Sequence, residues 1–215
     1  MTNTLQAVIW DFGGVLTSSP FEAFNQYEAD KGLPKDFIRG VNAVNGDTNA
    51  WARLERSELA ADGFDAAFRT ESKARGYEVP GKDVLNLLSG NLRPSVVNAL
   101  KVYKAKVKVG CITNNAPIGK GAGMSSNEAK AAAVADVLSL FDHVIESSKL
   151  GIRKPDPRIY ALMCEALDVN PAHCIYIDDL GINLKPARAM GMHTIKALSA
   201  EQILADLKTA TGFDL

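Results

Sequence analysis

Five short apolar runs, at 7–10, 107–112, 144–145, 174–177 and 193–195, punctuate the chain, and helical patterns separate the later ones. Runs this short and this continuously apolar read as strands buried on both faces, which requires helices on either side of one sheet. The chain is therefore predicted to be an α/β protein with a parallel sheet. At 215 residues it suits one large domain, or one domain carrying an insertion.

Helix signals are clear in the second half. Ser125-Ser126-Asn127-Glu128 offers a capping box before an Ala-rich stretch to Leu138. Asp156 is placed to cap a helix through Arg158, Ile159 and Tyr160 to Leu167. Its first residue, Pro157, lacks the N–H that this position leaves unpaired anyway. Ser199 and Gln202 form a second box before a last helix, from Ile203 to about Ala210.

Residues 17–95 differ: they carry helical patterns and no convincing strand. Phe21, Phe24 and Tyr27 fit one helix, Phe37, Ile38, Val41 and Val44 another, and Glu58–Gly76 a third, with breaks at Gly46-Asp47, Gly76-Tyr77 and Val79-Pro80-Gly81. The domain division expected is 1–16 with 96–215 as the catalytic core and 17–95 as a helical cap above the carboxyl edge of the sheet, where it can exclude water and select the substrate. Trp51, Arg53 and Arg56 fall on a short helical stretch of that cap. The favoured expectation is that Trp51 packs it and both arginines are solvated.

A formal net charge of −1 argues against a nucleic-acid or anionic-membrane partner. No apolar run approaches the roughly 18–20 residues of a membrane span, and the start, MTNTLQAVIWDFGG, lacks the basic region of a signal peptide. Three cysteines, Cys111, Cys164 and Cys174, with no CxxC pattern, suit the cytoplasm and are read as small buried hydrophobes. The histidines, His143, His173 and His193, show no metal-ligand spacing. The glycine-rich stretch 119–123 is a flexible loop and not a P-loop.

The chemistry concentrates at strand ends. Asp11 follows the first apolar run and precedes Phe12-Gly13-Gly14, where open α/β sheets place their active sites. It is expected to attack phosphorus and form an aspartyl-phosphate. Thr113 and the backbone N–H of Asn114 follow the second run and can bind phosphoryl oxygens. Lys154, stiffened by Pro155 and Pro157, is expected to neutralise the transition state and keep Asp11 ionised, with Arg153 beside it a solvated loop residue. Asp178-Asp179 follow the fourth run. Paired carboxylates there are relieved by a hard divalent cation, and Mg²⁺ suits Asp11, Asp179 and a phosphate oxygen. Asn183 is expected to orient Lys154 or Asp179.

These stretches resemble the four motifs of the haloacid dehalogenase-like hydrolase superfamily: IWDFGGVLT, CITNN, GIRKPDPRIY and IYIDDLGINLKPARAMGMHTI in turn. The resemblance covers essentially the whole chain. It implies a Rossmann-like parallel sheet core with an inserted helical cap, Mg²⁺ as cofactor, and attack by Asp11. It implies phosphate binding by Thr113 and Lys154, Mg²⁺ ligation by Asp179 and Asp11, and ligation by Asp178 directly or through water. One position departs. Phosphatases of this family usually carry an acid/base aspartate two residues after the nucleophile, and here that position is Gly13. Its backbone carbonyl can still ligate Mg²⁺, but a general acid/base worth about 10²–10⁴ in rate is missing.

The function expected is a Mg²⁺-dependent phosphatase of a small phosphorylated metabolite, slowed at Gly13. Phe12 and Gly13 join Thr113, Asn114 and Lys154 around the substrate, and the protein is a monomer or homodimer. The alternatives are a non-catalytic binding module for phosphorylated ligands and a metal-free 2-haloacid dehalogenase.

Overall fold

A computed structural model describes residues 5–125 and 127–214. The five expected strands all form: β1 (Ala7–Trp10), β2 (Lys108–Thr113), β3 (His143–Glu146), β4 (Cys174–Asp178) and β5 (His193–Lys196). They make one parallel sheet in the order β3-β2-β1-β4-β5. The chain builds outward from β1 on one side through β2 and β3, then returns to the other side of β1 for β4. That reversal of strand order is the topological switch point of a doubly wound sheet, and ligand sites form there at the carboxyl ends of the strands.

Helices cover both faces, as the unbroken apolarity of the strands requires. Within β1, Val8 and Trp10 join a cluster with Val96, Leu100 and Tyr103 of α6 (Pro94–Lys104), Val134 and Val137 of α7 (Glu128–Leu138), and Ile203 and Leu207 of α11 (Ala200–Thr211). Ala7 and Ile9 join the opposite cluster, with Ile159, Tyr160 and Met163 of α9 (Pro157–Leu167) and Leu184 and Ala187 of α10 (Gly181–Ala189). Successive β1 side chains thus serve opposite layers, which is the period-two alternation of a strand. Gly110 lets α9 settle on β2: a Cβ there would lie 2.5 Å from Met163 Sδ.

Between β1 and β2 the chain forms α1 (Pro20–Asp30), α2 (Phe37–Ala43), α3 (Ala50–Glu55), α4 (Ala61–Ala74) and α5 (Gly81–Asn86). These helices share a third apolar cluster, built on Phe24, Phe37, Ile38, Leu54, Phe64 and Phe68, which Ala116 of the loop after β2 also enters. Entry and exit of the block run side by side. Ser18 N donates to Asn91 O at 2.8 Å, Arg93 N donates to Leu16 O at 2.8 Å, and Thr17 and Leu92 form an antiparallel bridge.

Several sequence expectations need correction. Val44 lies beyond α2 and is exposed, and α4 spans only Ala61–Ala74 of the longer stretch expected. Asn127, whose side chain accepts from Lys130 N, caps α7. Ser125 is instead taken up in a bridge with Lys120, and Ser126 lies outside the described residues. At α11 only half the expected box forms: Ser199 accepts from Gln202 N, while Gln202 Oε1 accepts from Leu198 N. Helices α5 and α6 were not foreseen. The α9 boundaries and the Asp156 cap agree with expectation. Trp51 packs edge-on against Phe24 and Phe64, as expected.

The third cluster depends on a few rings, so truncating one opens a void that its neighbours cannot fill. Phe64→Ala is expected to cost about 3–5 kcal/mol, read as a lower denaturant midpoint with an unchanged slope. A loss below 1 kcal/mol would show that the block does not depend on this packing.

Candidate active site

Trp10 lies opposite both Cys111 of β2 and Ile177 of β4, so Asp11, Thr113, Asp178 and Asp179 emerge together at the carboxyl edge of the sheet. One oxygen from each of Asp11, Asp178 and Asp179 lies within 4.8 Å of the others. Lys154 enters this cluster from the loop before α9. Its Nζ is 2.8 Å from Asp11 Oδ1 and 2.8 Å from Asp178 Oδ2, with the side chain 1% exposed. Gly13 adjoins the cluster, and space around it is open: nothing lies within 4 Å of where a Cβ would stand.

The position of Lys154 is fixed from its backbone. Asn114 makes a reciprocal pair with it, Lys154 N donating to Asn114 Oδ1 at 2.8 Å and Asn114 Nδ2 donating to Lys154 O at 3.0 Å. This role for the Asn114 side chain was not read from the sequence. Asn115, next in line, donates from Nδ2 to Glu146 Oε2 at 2.8 Å and from its backbone to Ser147 Oγ at 3.0 Å, tying the end of β2 to that of β3.

Asp178 is fully committed within the protein. Its Oδ1 accepts from Leu180 N and Asn183 Nδ2, and its Oδ2 accepts from Lys154 Nζ, Tyr176 Oη and Asn183 Nδ2. Asn183 therefore orients Asp178, a correction to the expectation that it serves Lys154 or Asp179. Tyr160 donates to Asn183 O at 2.7 Å and packs edge-on against Tyr176, which extends the network into α9. Asp179 points the other way, with Ser19 Oγ 3.4 Å from its Oδ2. It crowds Gly14 so closely that a Cβ there would stand 2.2 Å from Asp179 Oδ2, and Gly14 also has a left-handed φ of 76°. A residue other than glycine would be strained by the backbone and would push the Asp179 side chain aside.

Phe12 N donates to Asp11 Oδ1 at 2.6 Å, holding the nucleophile candidate at a fixed angle, while its ring sits in the core. Thr113 is buried at the edge of the same site. Arg153 is not a solvated loop residue. Its Nε lies 2.5 Å from Oε2 of the buried Glu55 on α3, and its Nη1 donates to Gly46 O at 3.0 Å. With Ser57 Oγ donating to Ser148 O at 2.6 Å, these contacts tie the helical block to the loops that follow β3. Arg56 pairs with Glu58 and does not face the acid cluster.

Burial raises the Asp11 carboxyl well above its usual range. Lys154 opposes that shift, while Asp178 and Asp179 add to it. Burial, with Asp178 adding, pushes Asp179 up to about 6. Burial alone would lower the Lys154 ammonium, but Asp11 and Asp178 outweigh it and hold the lysine firmly charged. Three acids against one fixed cation leave surplus negative charge among oxygen donors. That donor set fits a hard divalent cation, with Asp11 and Asp179 outermost.

Two outcomes follow. Because a cation needs Asp179 and Asp11 ionised and burial raises both, Mg²⁺ affinity is expected to fall as pH drops through about 6 and to be fully developed only well above it. Calorimetric titrations at a series of pH values check this, and a pH-independent affinity contradicts it. Gly14→Ala is expected to displace Asp179 and weaken Mg²⁺ binding by at least tenfold. Unchanged binding would remove Asp179 from the ligand set.

Comparison with known proteins supplies the family. The haloacid dehalogenase-like hydrolase model matches residues 5–191. The chain is 34% identical over 98% of its length to acyl-CoA dehydrogenase family member 10 of Mus musculus, and 28% identical over 97% to bifunctional epoxide hydrolase 2 of Mus musculus. It spans only 19% and 39% of those two proteins. Phosphatase MT3486 of Mycobacterium tuberculosis is 32% identical over 88% of the chain and 85% of its own length. Among solved structures, a predicted HAD-like family hydrolase from Porphyromonas gingivalis superposes with a TM-score of 0.62 at 19% identity, covering 98% of this chain and all of that one. A HAD family enzyme from Bacteroides thetaiotaomicron, solved with magnesium and inorganic phosphate, superposes with a TM-score of 0.58 at 18% identity over 89% and 93% of the two chains. With a matching Rossmann-like fold and an acid cluster where the sheet reverses, this chain belongs to the haloacid dehalogenase-like hydrolase family.

Proposed function

We propose that the protein is a Mg²⁺-dependent phosphatase of a small phosphorylated metabolite, working through an aspartyl-phosphate on Asp11. The observation that carries this reading is Lys154, buried between Asp11 and Asp178 at 2.8 Å from each. A desolvated carboxylate bonded to a fixed ammonium, which offsets part of the burial that raises its pKa, is a nucleophile aimed at an electrophile that brings its own negative charge. The name of a relative similar over most of both lengths, a phosphatase, points the same way.

In this reading Mg²⁺ is held by Asp11, Asp179 and the Gly13 carbonyl, and when bound it screens the charge between the phosphoryl oxygens and the carboxylates. Asp178 stands behind them. Its lone pairs serve Lys154, Tyr176, Asn183 and Leu180 N, so it sets the position of the lysine and meets the metal only at second hand. Thr113 and the backbone N–H groups of Phe12 and Asn114 take the remaining phosphoryl oxygens, Phe12 N exchanging its bond to Asp11 for one to the substrate. The helical block over residues 17–95 acts as a cap. Asp11 is 7% exposed, so substrate enters when the Glu55–Arg153, Ser57–Ser148 and Ser19–Asp179 contacts open. Their closure excludes water from the reacting centre. The three buried, unpaired cysteines suit a cytoplasmic setting. Among the described residues no helix is long and apolar enough to cross a membrane.

A second reading, a phosphate-ligand binding module without turnover, is favoured by Gly13 alone. The two separate in a panel assay of Mg²⁺-dependent phosphate release. The phosphatase reading expects release that EDTA stops and that Asp11→Asn lowers by at least about 10⁴ without altering the folded state. Release of phosphate by Asp11→Asn at the wild-type rate would sink the nucleophile assignment. Tight phosphate binding with no release from any substrate would leave the binding module.

A further inference from the structure

Among the described residues the site holds the nucleophile and its counter-charge, while its other carboxyl groups are committed, Asp178 to the lysine network and Asp179, in the proposed reading, to Mg²⁺. Beside Asp11 the chain carries Gly13, and the space around it is empty to 4 Å from where a Cβ would be. Among the described residues, Lys154, Tyr176, Tyr160 and Ser19 are already engaged, and Thr113 offers only an alcohol, far too weak an acid for the task. Lys154 is shared between two carboxylates, and Tyr176 donates to Asp178. Tyr160 donates to Asn183 O, and Ser19 turns to Asp179. Asp178 accepts on both oxygens. Burial raises the carboxyl of Glu55 in the helical block, but Arg153 opposes the shift and occupies its Oε2 at 2.5 Å, turning that oxygen away from the reacting centre.

The histidines, which are the usual proton donors near neutral pH, lie at the wrong edge. His143 begins β3, His193 begins β5, and His173 directly precedes β4. In a parallel sheet all three therefore stand at the amino edge, across the full strand length from Asp11.

We infer that this site takes substrates whose phosphoryl group sits on an acidic leaving group, such as an acyl phosphate, a phosphoanhydride or the phosphate of an acidic enol or phenol, and discriminates against plain alkyl phosphates. The inference rests on the proposed phosphatase reading and narrows its substrate class. In the first step an Asp11 oxygen bonds to phosphorus and the bond from phosphorus to the leaving oxygen breaks. The electron pair departs with that oxygen, which leaves as an anion. In the second step a water oxygen bonds to phosphorus and the Asp11–phosphorus link breaks, restoring the carboxylate. The proton released from water neutralises the departed anion in solvent. Only a leaving group that is stable as an anion completes the first step without help.

The test is kcat/KM at saturating Mg²⁺ for substituted phenyl phosphates of graded leaving-group acidity, acetyl phosphate and a simple alkyl phosphate, with Asp11→Asn as the blank. The wild type is expected to fall steeply along the series. Gly13→Asp, whose Cβ has room, is expected to flatten it and raise the ratio of alkyl to acyl phosphate by about 10²–10⁴. If that variant does not fold, the wild type in D₂O still decides: a solvent isotope effect on kcat/KM near unity is expected. A shallow wild-type series or a large normal isotope effect overturns the inference while Asp11-dependent release leaves the phosphatase reading standing. Absence of Asp11-dependent release from every substrate removes both.

Discussion

The burial of one ammonium between two carboxylates organises everything at the carboxyl edge of this sheet. Taking Lys154, Asp11 and Asp178 out of water is costly, and their attraction compensates only if each is held in place and fully bonded. The surrounding residues meet that demand. Asn114 fixes the lysine backbone, while Tyr176, Asn183 and Leu180 N saturate Asp178, and Phe12 N holds Asp11. Removing one member of such a group leaves an uncompensated buried charge, typically at a cost of about 3–5 kcal/mol. The polar network thus fixes the strand ends as firmly as the apolar clusters fix the strands.

The same arrangement divides labour between adjacent aspartates. Asp178 is buried and spent on the protein, while Asp179 is half-buried and, in the proposed reading, left for a cation. Their neighbours decide this: donors converge on Asp178 from β4, α10 and Lys154, whereas Asp179 meets Ser19 Oγ and the bare Cα of Gly14. In the proposed reaction one carboxylate positions the lysine and the other the metal.

The fold was legible because its signal is local. Each strand is an apolar run bounded by breakers, and Asp156-Pro157 marks the start of α9 wherever the chain goes afterwards. The site was half legible. Asp11 and Asp178-Asp179 stand out as charged residues at the ends of apolar runs, and Lys154 as a lysine stiffened by Pro155 and Pro157. Their supports do not, because those are contacts across long separations: 40 residues from Asn114 to Lys154 and 98 from Glu55 to Arg153. Arg153 reads locally as one more loop cation, and only the folded block shows its buried partner. The α7 cap failed for a different reason. Ser125, Ser126 and Asn127 are all good capping residues, and a local loop closure with Lys120 takes up Ser125.

The central claim is that Asp11 is phosphorylated during turnover. The most direct measurement is acid quenching of the wild-type enzyme during steady-state turnover of acetyl phosphate with Mg²⁺, followed by peptide mapping by mass spectrometry. The account predicts one phosphoryl group, confined to the peptide carrying Asp11 and absent from Asp11→Asn. Phosphate release under the same conditions with that peptide unmodified, or with the label on another residue, would contradict it.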